Sequence, residues 1–413
     1  MRHIICIDLK SFFASVECIE RNLDPFKTPL VVCNPERHDS ITLAVTPYLK
    51  KLGIEGRTRV YNLPKNIKII KVPPRMKLYK EKSKEVIKIY LEFIEASDMH
   101  IYSIDEVFLD VTNYLHLYKC NVDELALKII NRIKEKTGLT TTAGIGPNLL
   151  LAKVSMDIEA KHVKNNIAHW EYKDIKTKLW NITPLHKMWG IGLRLEKRLN
   201  NLGIYSIKDL ALYNKNTLKN KFGIIGEELW NHANGIDNSK ISEFNQESKN
   251  KSYGHSQVLY KDYNGDNVKL IIKEMCNVLT TRLRANKKVT NLIALGITYS
   301  KTVNGGFYHM TNLTNSTDNT NYIYDTCLNI FDQFYEDLPI RKVSINLGKL
   351  EDKKYLQLNL FEKVEDIESL DKINSTIDNI TEKYGKNSVI PASSLLKDST
   401  LIDRNKKIGG HYE

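Results

Sequence analysis

Two adjacent carboxylates, Asp105 and Glu106, interrupt an apolar run over 101–111 that otherwise has the composition of a buried strand. Neighbouring carboxylates resist ionising together, and partial burial adds a desolvation cost, so we expect a cation to neutralise them. In a regular strand the two side chains would point to opposite faces. Joint use of both therefore requires a hairpin turn or a bulge between the apolar segments 101–103 and 107–111.

A third carboxylate, Asp8, ends the apolar strand predicted over 3–9. An isolated Asp after an apolar run is usually a turn or helix-cap residue. Three carboxylates at the tips of two strands, however, suggest a two-metal site for phosphoryl chemistry, and hard oxygen ligands suit Mg²⁺. Asp8, Asp105 and Glu106 are therefore candidate metal ligands.

Length and charge limit the class of protein. At 413 residues the chain is too long for one ordinary core, so we expect several domains. A net charge of +12 favours nucleic acid as a partner over a membrane surface, although a well-solvated Lys-rich surface gives the same excess. No run is long enough to span a membrane, and Asp8 and Lys10 argue against a signal peptide. The six scattered cysteines show no metal spacing and are typical of a reducing cytoplasm.

Residues 1–165 alternate strand and helix patterns. The predicted strands cover 3–9, 29–33 and 141–146, and the predicted helices lie near 13–22, 82–97 and 122–137, with one more ending at Asp157. Between 34 and 75 the chain is basic, weakly periodic and punctuated by Pro and Gly. This segment is consistent with a small inserted subdomain.

Short helices are predicted over 172–235, around the turn Trp189-Gly190-Ile191-Gly192. This pattern resembles a helix-hairpin-helix, whose tight turn aims backbone N–H groups at a DNA phosphate. A plain turn between helices is the more frequent explanation of two such glycines. Because Arg194, Lys197 and Arg198 follow at once, we favour phosphate binding, with Gly190, Gly192 and Arg194 as candidate contacts.

The C-terminal third follows a polar stretch over 236–251 that predicts a linker. Strands are predicted over 253–260, 289–299, 307–311 and 341–350, and helices over 266–286 and 321–336. The order β-α-β-β-α-β is the split βαβ arrangement. Its open sheet face could lie along a duplex through Arg341, Lys342 and Lys349, although an ordinary solvated face explains these residues equally well.

The segment Gln357-Leu358-Asn359-Leu360-Phe361 is a short apolar cluster at the edge of this domain. Such a cluster is typical of a docking peptide, although a terminal strand packing on its own domain would look the same. The mixed-charge tail that follows shows no convincing core.

Three motifs in order resemble the Y-family of translesion DNA polymerases. They are Asp8 with 11–17 (SFFASVE), 103–106 (SIDE), and 143–146 (AGIG) with 151–153 (LAK). The resemblance covers about residues 1–361. Pro47, the peptide 357–361 and the terminal 408–411 (IGGH) are closer to the UmuC-type, impB/mucB/samB-like UV-protection branch of bacterial plasmids and phages than to DNA polymerase IV proper.

This resemblance implies an α+β multidomain, right-handed polymerase. The implied domains are a palm over 1–27 and 76–165, small fingers over 28–75, a helical thumb with the helix-hairpin-helix over 166–235, a linker over 236–251, a split βαβ little finger over 252–356, and a clamp-binding peptide with a tail over 357–413. The implied activity is template-directed, low-fidelity synthesis past damaged bases in the cytoplasm, as in SOS-type mutagenesis and DNA repair.

The resemblance also implies roles for residues around the carboxylates. Asp8, Asp105 and Glu106, assisted by the Leu9 carbonyl, would hold two Mg²⁺ ions. Phe13 would be the steric gate that excludes a 2′-hydroxyl, although periodicity alone places both Phe12 and Phe13 in the core.

Contacts to the triphosphate are implied for Phe12, Thr46, Lys50 and Lys161. Counting back from Gly53 selects Lys50, whereas counting forward from Tyr48 selects Lys51. Lys161 matches a triphosphate-binding lysine, with one residue inserted before it and His162 in place of the usual Pro.

The implied partners are primer-template DNA, deoxynucleoside triphosphates and a bacterial sliding clamp, with a recombinase filament as a further candidate. Gln357, Leu358, Leu360 and Phe361 would bind the clamp, and we expect a monomer with no membrane contact. Two alternatives stay open. The palm could cyclise nucleotides, which leaves the helix-hairpin-helix without a role, or the chain could be a catalytically silent DNA- and clamp-binding accessory protein.

Overall fold

A computed structural model describes residues 2–37, 39–244, 251–353 and 364–412. It divides the chain into an N-terminal unit, residues 1–247 with 411–413, and a C-terminal unit, residues 248–410. The strands of the N-terminal unit are β1 (Ile4–Leu9), β2 (Leu30–Val32), β3 (Ala44–Val45), β4 (Ile70–Val72), β5 (Met99–Ile101), β6 (Glu106–Asp110), β7 (Thr141–Gly146) and β8 (Ile167–His169). Its helices are α1 (Phe12–Ile19), α2 (Pro47–Lys51), α3 (Met76–Tyr90), α4 (Leu115–Tyr118), α5 (Val122–Thr137), α6 (Leu149–Ser155), α7 (Leu193–Asn200), α8 (Ile207–Leu212), α9 (Lys215–Phe222), α10 (Ile224–Ala233) and α11 (Ile241–Phe244).

A five-stranded sheet in the order β5-β6-β1-β7-β8 forms the centre of this unit. The central strand β1 is buried on both faces. Ile5 and Ile7 join the core that includes helices α1, α3 and α5, whereas Ile4 and Cys6 pack with Phe108 on the side of α6. Because the whole of 4–7 is apolar, β1 can occupy this two-sided position, and Asp8 comes at its end.

The acidic run forms the hairpin that its pattern requires. The backbone N–H groups of Tyr102 and Ser103 donate to the Glu106 carbonyl at 3.0 and 3.1 Å, and the Leu9 N–H donates to the Asp105 carbonyl at 2.9 Å. The turn lies between β5 and β6, so the prediction of a hairpin at this point is confirmed.

One predicted helix is misplaced along the chain. The helix predicted near 82–97 is α3, which begins at Met76 and ends at Tyr90. Its first turns are rich in Lys and Glu, so the buried positions Tyr79 and Ser83 do not stand out as an apolar stripe. By contrast, α5 coincides with the predicted 122–137, because a capping box at Asn121 marks its start and Gly138 marks its end.

The basic segment predicted as an inserted subdomain has a sheet and a core of its own. Strand β2 pairs antiparallel with β3 and parallel with β4. A separate cluster of buried side chains covers this sheet: Val31, Cys33, Val45, Leu49, Val60 and Leu63.

The predicted linker over 236–251 is too long at its N-terminal side. Helix α11 belongs to the N-terminal unit, where Ile241 is buried and the Phe244 ring stacks on His100 with centroids 4.3 Å apart. The Arg2 guanidinium also donates to the Ser239 carbonyl at 3.0 Å. Because the segment is mostly polar, its sequence did not indicate that Ile241 and Phe244 pack against this unit.

The C-terminal unit contains the predicted β-α-β-β-α-β order. Its elements are β9 (Tyr253–Tyr263), α12 (Gly265–Ala285), β10 (Lys288–Tyr299), β11 (Gly306–Thr317), α13 (Thr320–Phe334) and β12 (Ile340–Asp352). The antiparallel sheet has the order β11-β10-β12-β9, and its apolar face packs with α12 and α13. Alternation along β12 buries Val343 and Ile345 in this core and leaves Lys342, Ser344 and Asn346 on the opposite face.

The tail up to Gly410, for which we predicted no core, packs on this C-terminal unit. Its elements are α14 (Val364–Tyr384), α15 (Leu401–Arg404) and the short strand β13 (Lys407–Ile408), whereas strand β14 (His411–Tyr412) groups with the N-terminal unit. Asp378 forms an ion pair with Arg284 at 2.7 Å, and Thr400 donates its hydroxyl at 3.2 Å to Glu274, which is 1% exposed. The contacts are polar, which explains why an apolar pattern did not reveal them. Among the described helices, none is both long enough and apolar enough to cross a membrane.

Candidate active site

A cavity of about 640 Å³ opens where β1, α1, the acidic hairpin and the segment around α2 meet. This volume falls in the range of small-molecule binding sites. Its lining combines carboxylates, lysines and aromatic rings: Asp8, Leu9, Lys10, Ser11, Phe12, Phe13, Phe26, Leu43, Ala44, Val45, Pro47, Lys50, Lys51, Gly56, Asp105, Lys161 and His162. Of the predicted site residues, the cavity gathers Asp8, Leu9, Phe12, Phe13, Lys50, Asp105 and Lys161.

The three predicted carboxylates are neighbours at this place. Asp8 lies directly opposite Glu106 on the antiparallel pair β1 and β6, so the two side chains share one face of the sheet. Asp105, the residue before Glu106, lies in the hairpin turn, where its carboxylate accepts a hydrogen bond from the Ser103 hydroxyl at 2.7 Å. Burial, together with the charges of Asp105 and Glu106, raises the pKa of Asp8 to about 6, although Lys161 and Lys153 act in the opposite direction.

Glu106 is engaged by a lysine. The Lys153 ammonium lies 2.8 and 3.0 Å from the two carboxylate oxygens of Glu106, and both side chains are buried. The Cys6 thiol donates to the same carboxylate at 3.3 Å. Within the four described ranges, no group of three His, Cys, Asp or Glu side chains is arranged to hold a metal ion.

The donor set nevertheless fits divalent cations. Asp8 and Asp105 present carboxylate oxygens to the cavity, and these are the hard ligands that Mg²⁺ prefers. Burial first, and the neighbouring carboxylates second, disfavour the charged form of Asp8, and a bound cation would stabilise that form. Glu106 would complete the set if Lys153 released or shared its carboxylate.

A ladder of ion pairs connects Glu106 to the cavity wall. Asp157 accepts from Lys153 at 3.0 Å and from Lys161 at 2.7 Å, each four residues away. Desolvation lowers the pKa of Lys161, but the charges of Asp8 and Asp157 outweigh this effect and raise it above its usual value. The chain forms a π-helical turn over Met156–Ala160, and such a turn accommodates one extra residue in a helix. This turn explains how Lys161 reaches the cavity despite the residue inserted before it.

The segment around α2 supplies two exposed lysines. Both Lys50 and Lys51 line the cavity, so the structure does not decide between the two counts along the sequence. Thr46, predicted to contact the triphosphate, is not among the residues that line this cavity. Thr46, at the N-cap position of α2, is fully buried, and its hydroxyl donates to the Thr28 carbonyl at 2.8 Å.

The two adjacent phenylalanines have different environments. Both side chains line the cavity, but Phe12 is 2% exposed and belongs to the sheet core, whereas Phe13 is only partly buried against that core. The Phe13 ring stacks on Tyr79 with centroids 4.4 Å apart and an interplanar angle of 18°. Tyr79 donates its hydroxyl at 2.7 Å to the buried carboxylate of Glu17, which also pairs with Arg75 at 2.7 Å. Sequence reasoning missed this support, since its members are 58 to 62 residues apart along the chain.

The predicted DNA contacts are distributed over both units. In the N-terminal unit, Gly190 has φ +89°, Gly192 directly precedes α7, and Arg194 is exposed. In the C-terminal unit, Lys342 lies on the open sheet face, but the Arg341 guanidinium pairs with Asp262 at 2.6 Å. The predicted clamp residues Gln357, Leu358, Leu360 and Phe361 lie outside the described residues.

Comparisons with known proteins agree with this arrangement. Residues 7–157 match the impB/mucB/samB family, residues 172–204 match the HHH motif of the IMS family, and residues 250–360 match the impB/mucB/samB family C-terminal domain. UvrX of Bacillus subtilis (strain 168), named as a UV-damage repair protein, is 39% identical over 99% of this chain and 97% of its own. DNA polymerase IV 2 of the same organism is 32% identical over 99% of this chain and 98% of its own.

Among solved structures, a Y-family DNA polymerase chimera, Dbh-Dpo4(243-245)-Dbh, superposes with a TM-score of 0.67 at 22% identity. The match covers 85% of this chain and 99% of the chimera. At this identity the likeness concerns the fold, and it supports the predicted α+β polymerase architecture.

Proposed function

The chain belongs to the impB/mucB/samB family of Y-family translesion DNA polymerases, and from that premise we propose that its cavity carries out two-metal nucleotidyl transfer. The observation that carries the proposal is the meeting of Asp8, Asp105, Phe13 and Lys161 around one cavity of about 640 Å³. The reaction joins a deoxynucleotide to a primer, directed by a template that includes damaged bases.

We assign the metal ligands to Asp8, Asp105, Glu106 and the Leu9 carbonyl. When bound, two Mg²⁺ ions would activate the primer 3′-hydroxyl and neutralise the triphosphate and the leaving pyrophosphate. Lys153 keeps the buried charge of Glu106 paired in the metal-free protein, which avoids an uncompensated carboxylate beside Asp8. Asp157 then holds Lys153 when Glu106 turns toward the cavity.

We assign the triphosphate contacts to the side chains of Lys161 and of Lys50 or Lys51, and to the backbone of Phe12. Exposed lysines at a cavity mouth attract the triphosphate and stay mobile enough to follow its charge. Phe13, held flat by Tyr79, would lie under the sugar and exclude ribonucleotides by volume.

The remaining assignments are made by position. The palm covers 1–27 and 76–165, the fingers 28–75, the thumb 166–235 and the little finger 252–356. Gly190, Gly192 and Arg194 would bind DNA phosphates from the thumb, and Lys342 would do so from the open face of the little finger, joined by Arg341 on release from Asp262. A sliding clamp would bind 357–361, a recombinase filament is a candidate activator, and we expect a monomer.

Primer extension with purified protein and Mg²⁺ tests the catalytic assignment. Asp105→Asn should lower nucleotide addition by about a thousandfold, because it removes a charged metal ligand. Asp110→Asn is the matched control, since Asp110 ends the strand β6 that follows the turn of Asp105 but pairs with Arg2 at 3.4 Å outside the cavity. Full activity in Asp105→Asn would refute the proposed site.

A further inference from the structure

Trp189 stands directly before the turn Gly190-Ile191-Gly192 and contacts two separate cores. It packs with the thumb cluster that contains Ile191 and also with the cluster on the central sheet that contains Cys6 and Phe108. Within the described residues, Trp189 is the side chain common to these two clusters. It therefore connects the helix-hairpin-helix to the sheet that carries the carboxylates.

The connection continues into the acidic hairpin. The Trp189 indole N–H donates to the Tyr102 hydroxyl at 3.1 Å, and the two rings meet edge to face with centroids 5.9 Å apart at 74°. The Tyr102 ring also meets Phe108 edge to face at 5.7 Å and 90°. The backbone N–H of Tyr102 donates to the Glu106 carbonyl, which is one of the bonds that close the hairpin.

We propose that Trp189 is a positioning residue, which through Tyr102 fixes the helix-hairpin-helix turn relative to the acidic hairpin. This inference rests on the proposed function, because it assumes that the turn binds a DNA phosphate and that Asp105 and Glu106 act at the 3′ end of the primer. Because the turn is fixed relative to the hairpin, a DNA phosphate bound at the turn would lie at a fixed distance from the carboxylates of Asp105 and Glu106.

The physical reason is the narrow tolerance of the chemical step. Reacting atoms must be aligned closely, and a misplacement of about 1 Å lowers a rate by as much as a hundredfold. Tyr102 is 46% exposed, so its bond to Trp189 adds little to global stability. A bond at this place serves alignment more than folding.

Two conservative substitutions remove the bond and keep an aromatic ring at each position, although phenyl is smaller than indole at 189. Trp189→Phe deletes the indole N–H, Tyr102→Phe deletes the hydroxyl, and the double variant deletes both. Trp180→Phe is the matched control, because Trp180 donates its indole N–H at 3.0 Å to the Ala233 carbonyl within the thumb, away from the hairpin. For each variant we would measure the single-turnover incorporation rate at saturating nucleotide, the Kd for primer-template DNA and the thermal unfolding midpoint.

Each single variant should lower the incorporation rate by about threefold to tenfold, in line with the loss of one hydrogen bond. The Kd for DNA should stay within about twofold, and the double variant should be no slower than the singles, since all three lack the same bond. Wild-type rates in Trp189→Phe and Tyr102→Phe would overturn the proposal. Equal slowing in Trp180→Phe, or multiplied effects in the double variant, would overturn it as well.

The same assay separates this inference from the proposed function. If wild-type protein adds nucleotides and Asp105→Asn does not, the catalytic site stands whatever the Trp189 variants do. If Asp105→Asn is fully active, the proposed site itself fails.

Discussion

At the scale of single residues, the position of Phe13 is explained by what lies beneath it. Glu17 is fully buried and accepts hydrogen bonds from Arg75, Tyr79 and Arg21. Burial alone would raise the pKa of Glu17, but these donors outweigh it and lower the pKa. The carboxylate is therefore ionised and fixed, and it holds the Tyr79 ring on which Phe13 stacks.

A substitution at Phe13 tests whether this ring selects the sugar. Phe13→Val removes the ring from the cavity, so ribonucleotide incorporation relative to deoxynucleotide incorporation should rise by about tenfold or more, measured as the ratio of kcat/KM values. Phe13→Tyr keeps the ring and should keep the discrimination. If Phe13→Val discriminates like the wild type, the gate lies elsewhere in the cavity.

His255 on β9 gives a pH dependence that is independent of catalysis. Burial and, to a smaller extent, the charge of Arg404 lower its pKa from 6.5 to about 4, and its Nε2 has no hydrogen-bond partner within the described residues. Between these two pH values the unfolded chain binds more protons than the folded protein, so stability falls as the pH drops from 6.5 toward 4.

Urea unfolding of the C-terminal unit measures this effect. Relative to His255→Gln, which does not titrate, the wild-type protein should lose about 1–3 kcal/mol between pH 7 and pH 4. The buried carboxylates contribute equally to both proteins and cancel in the difference. Parallel pH profiles for the two proteins would show that His255 titrates normally.

At the scale of elements, short irregular turns set the positions of functional groups. The turn between β5 and β6 puts Asp105 and Glu106 within reach of Asp8, and the π-helical turn after α6 brings Lys161 to the cavity. The turn before α7 differs in kind, because its two glycines have different backbone conformations. Gly190 has φ +89°, whereas Gly192 has φ −90°.

These conformations separate stability from DNA binding. Gly190→Ala places a Cβ in the left-handed region and should destabilise the thumb by about 1–2 kcal/mol. Gly192→Ala meets no atom within 4 Å and should leave the unfolding midpoint nearly unchanged. Its methyl group would still obstruct a phosphate at the start of α7, so we expect severalfold weaker binding to primer-template DNA by fluorescence anisotropy. Wild-type affinity in Gly192→Ala would contradict phosphate binding at this turn.

At the scale of the whole molecule, the net charge of +12 is consistent with a DNA partner, and the tail up to Gly410 is part of the C-terminal unit. Glu274 on α12 accepts hydrogen bonds from Ser399 and Thr400 of the tail, so removal of the tail would leave a buried carboxylate without these partners. In the sequence, the predicted clamp peptide 357–361 comes after strand β12 and before helix α14, outside the described residues.

A paired substitution tests the clamp assignment without disturbing the polymerase. Leu360→Ala with Phe361→Ala should abolish stimulation of primer extension by a sliding clamp and leave clamp-free extension unchanged, because the two side chains would fill an apolar cleft on the clamp. Asn359→Ala, at the variable position of the peptide, should behave as the wild type. An equal loss with and without the clamp would instead indicate damage to the little finger.

The sequence by itself determined many of the helices and strands, and the acidic turn that carries functional residues. Periodicity and caps predict α5 and the split βαβ order, and the cost of adjacent carboxylates at 105 and 106 predicts the hairpin. These are local properties, because a few consecutive residues fix a repeat, a turn or a cap.

Only the tertiary structure decided which side chains meet. Glu106 pairs with Lys153, 47 residues away; Trp189 bonds to Tyr102, 87 residues away; and Thr46 turns into the core instead of the cavity. The tail and the first half of the predicted linker pack through isolated contacts such as Glu274 with Thr400. A short stretch of sequence cannot predict such pairs. Their interaction energy arises only when folding brings distant residues together and removes the water between them.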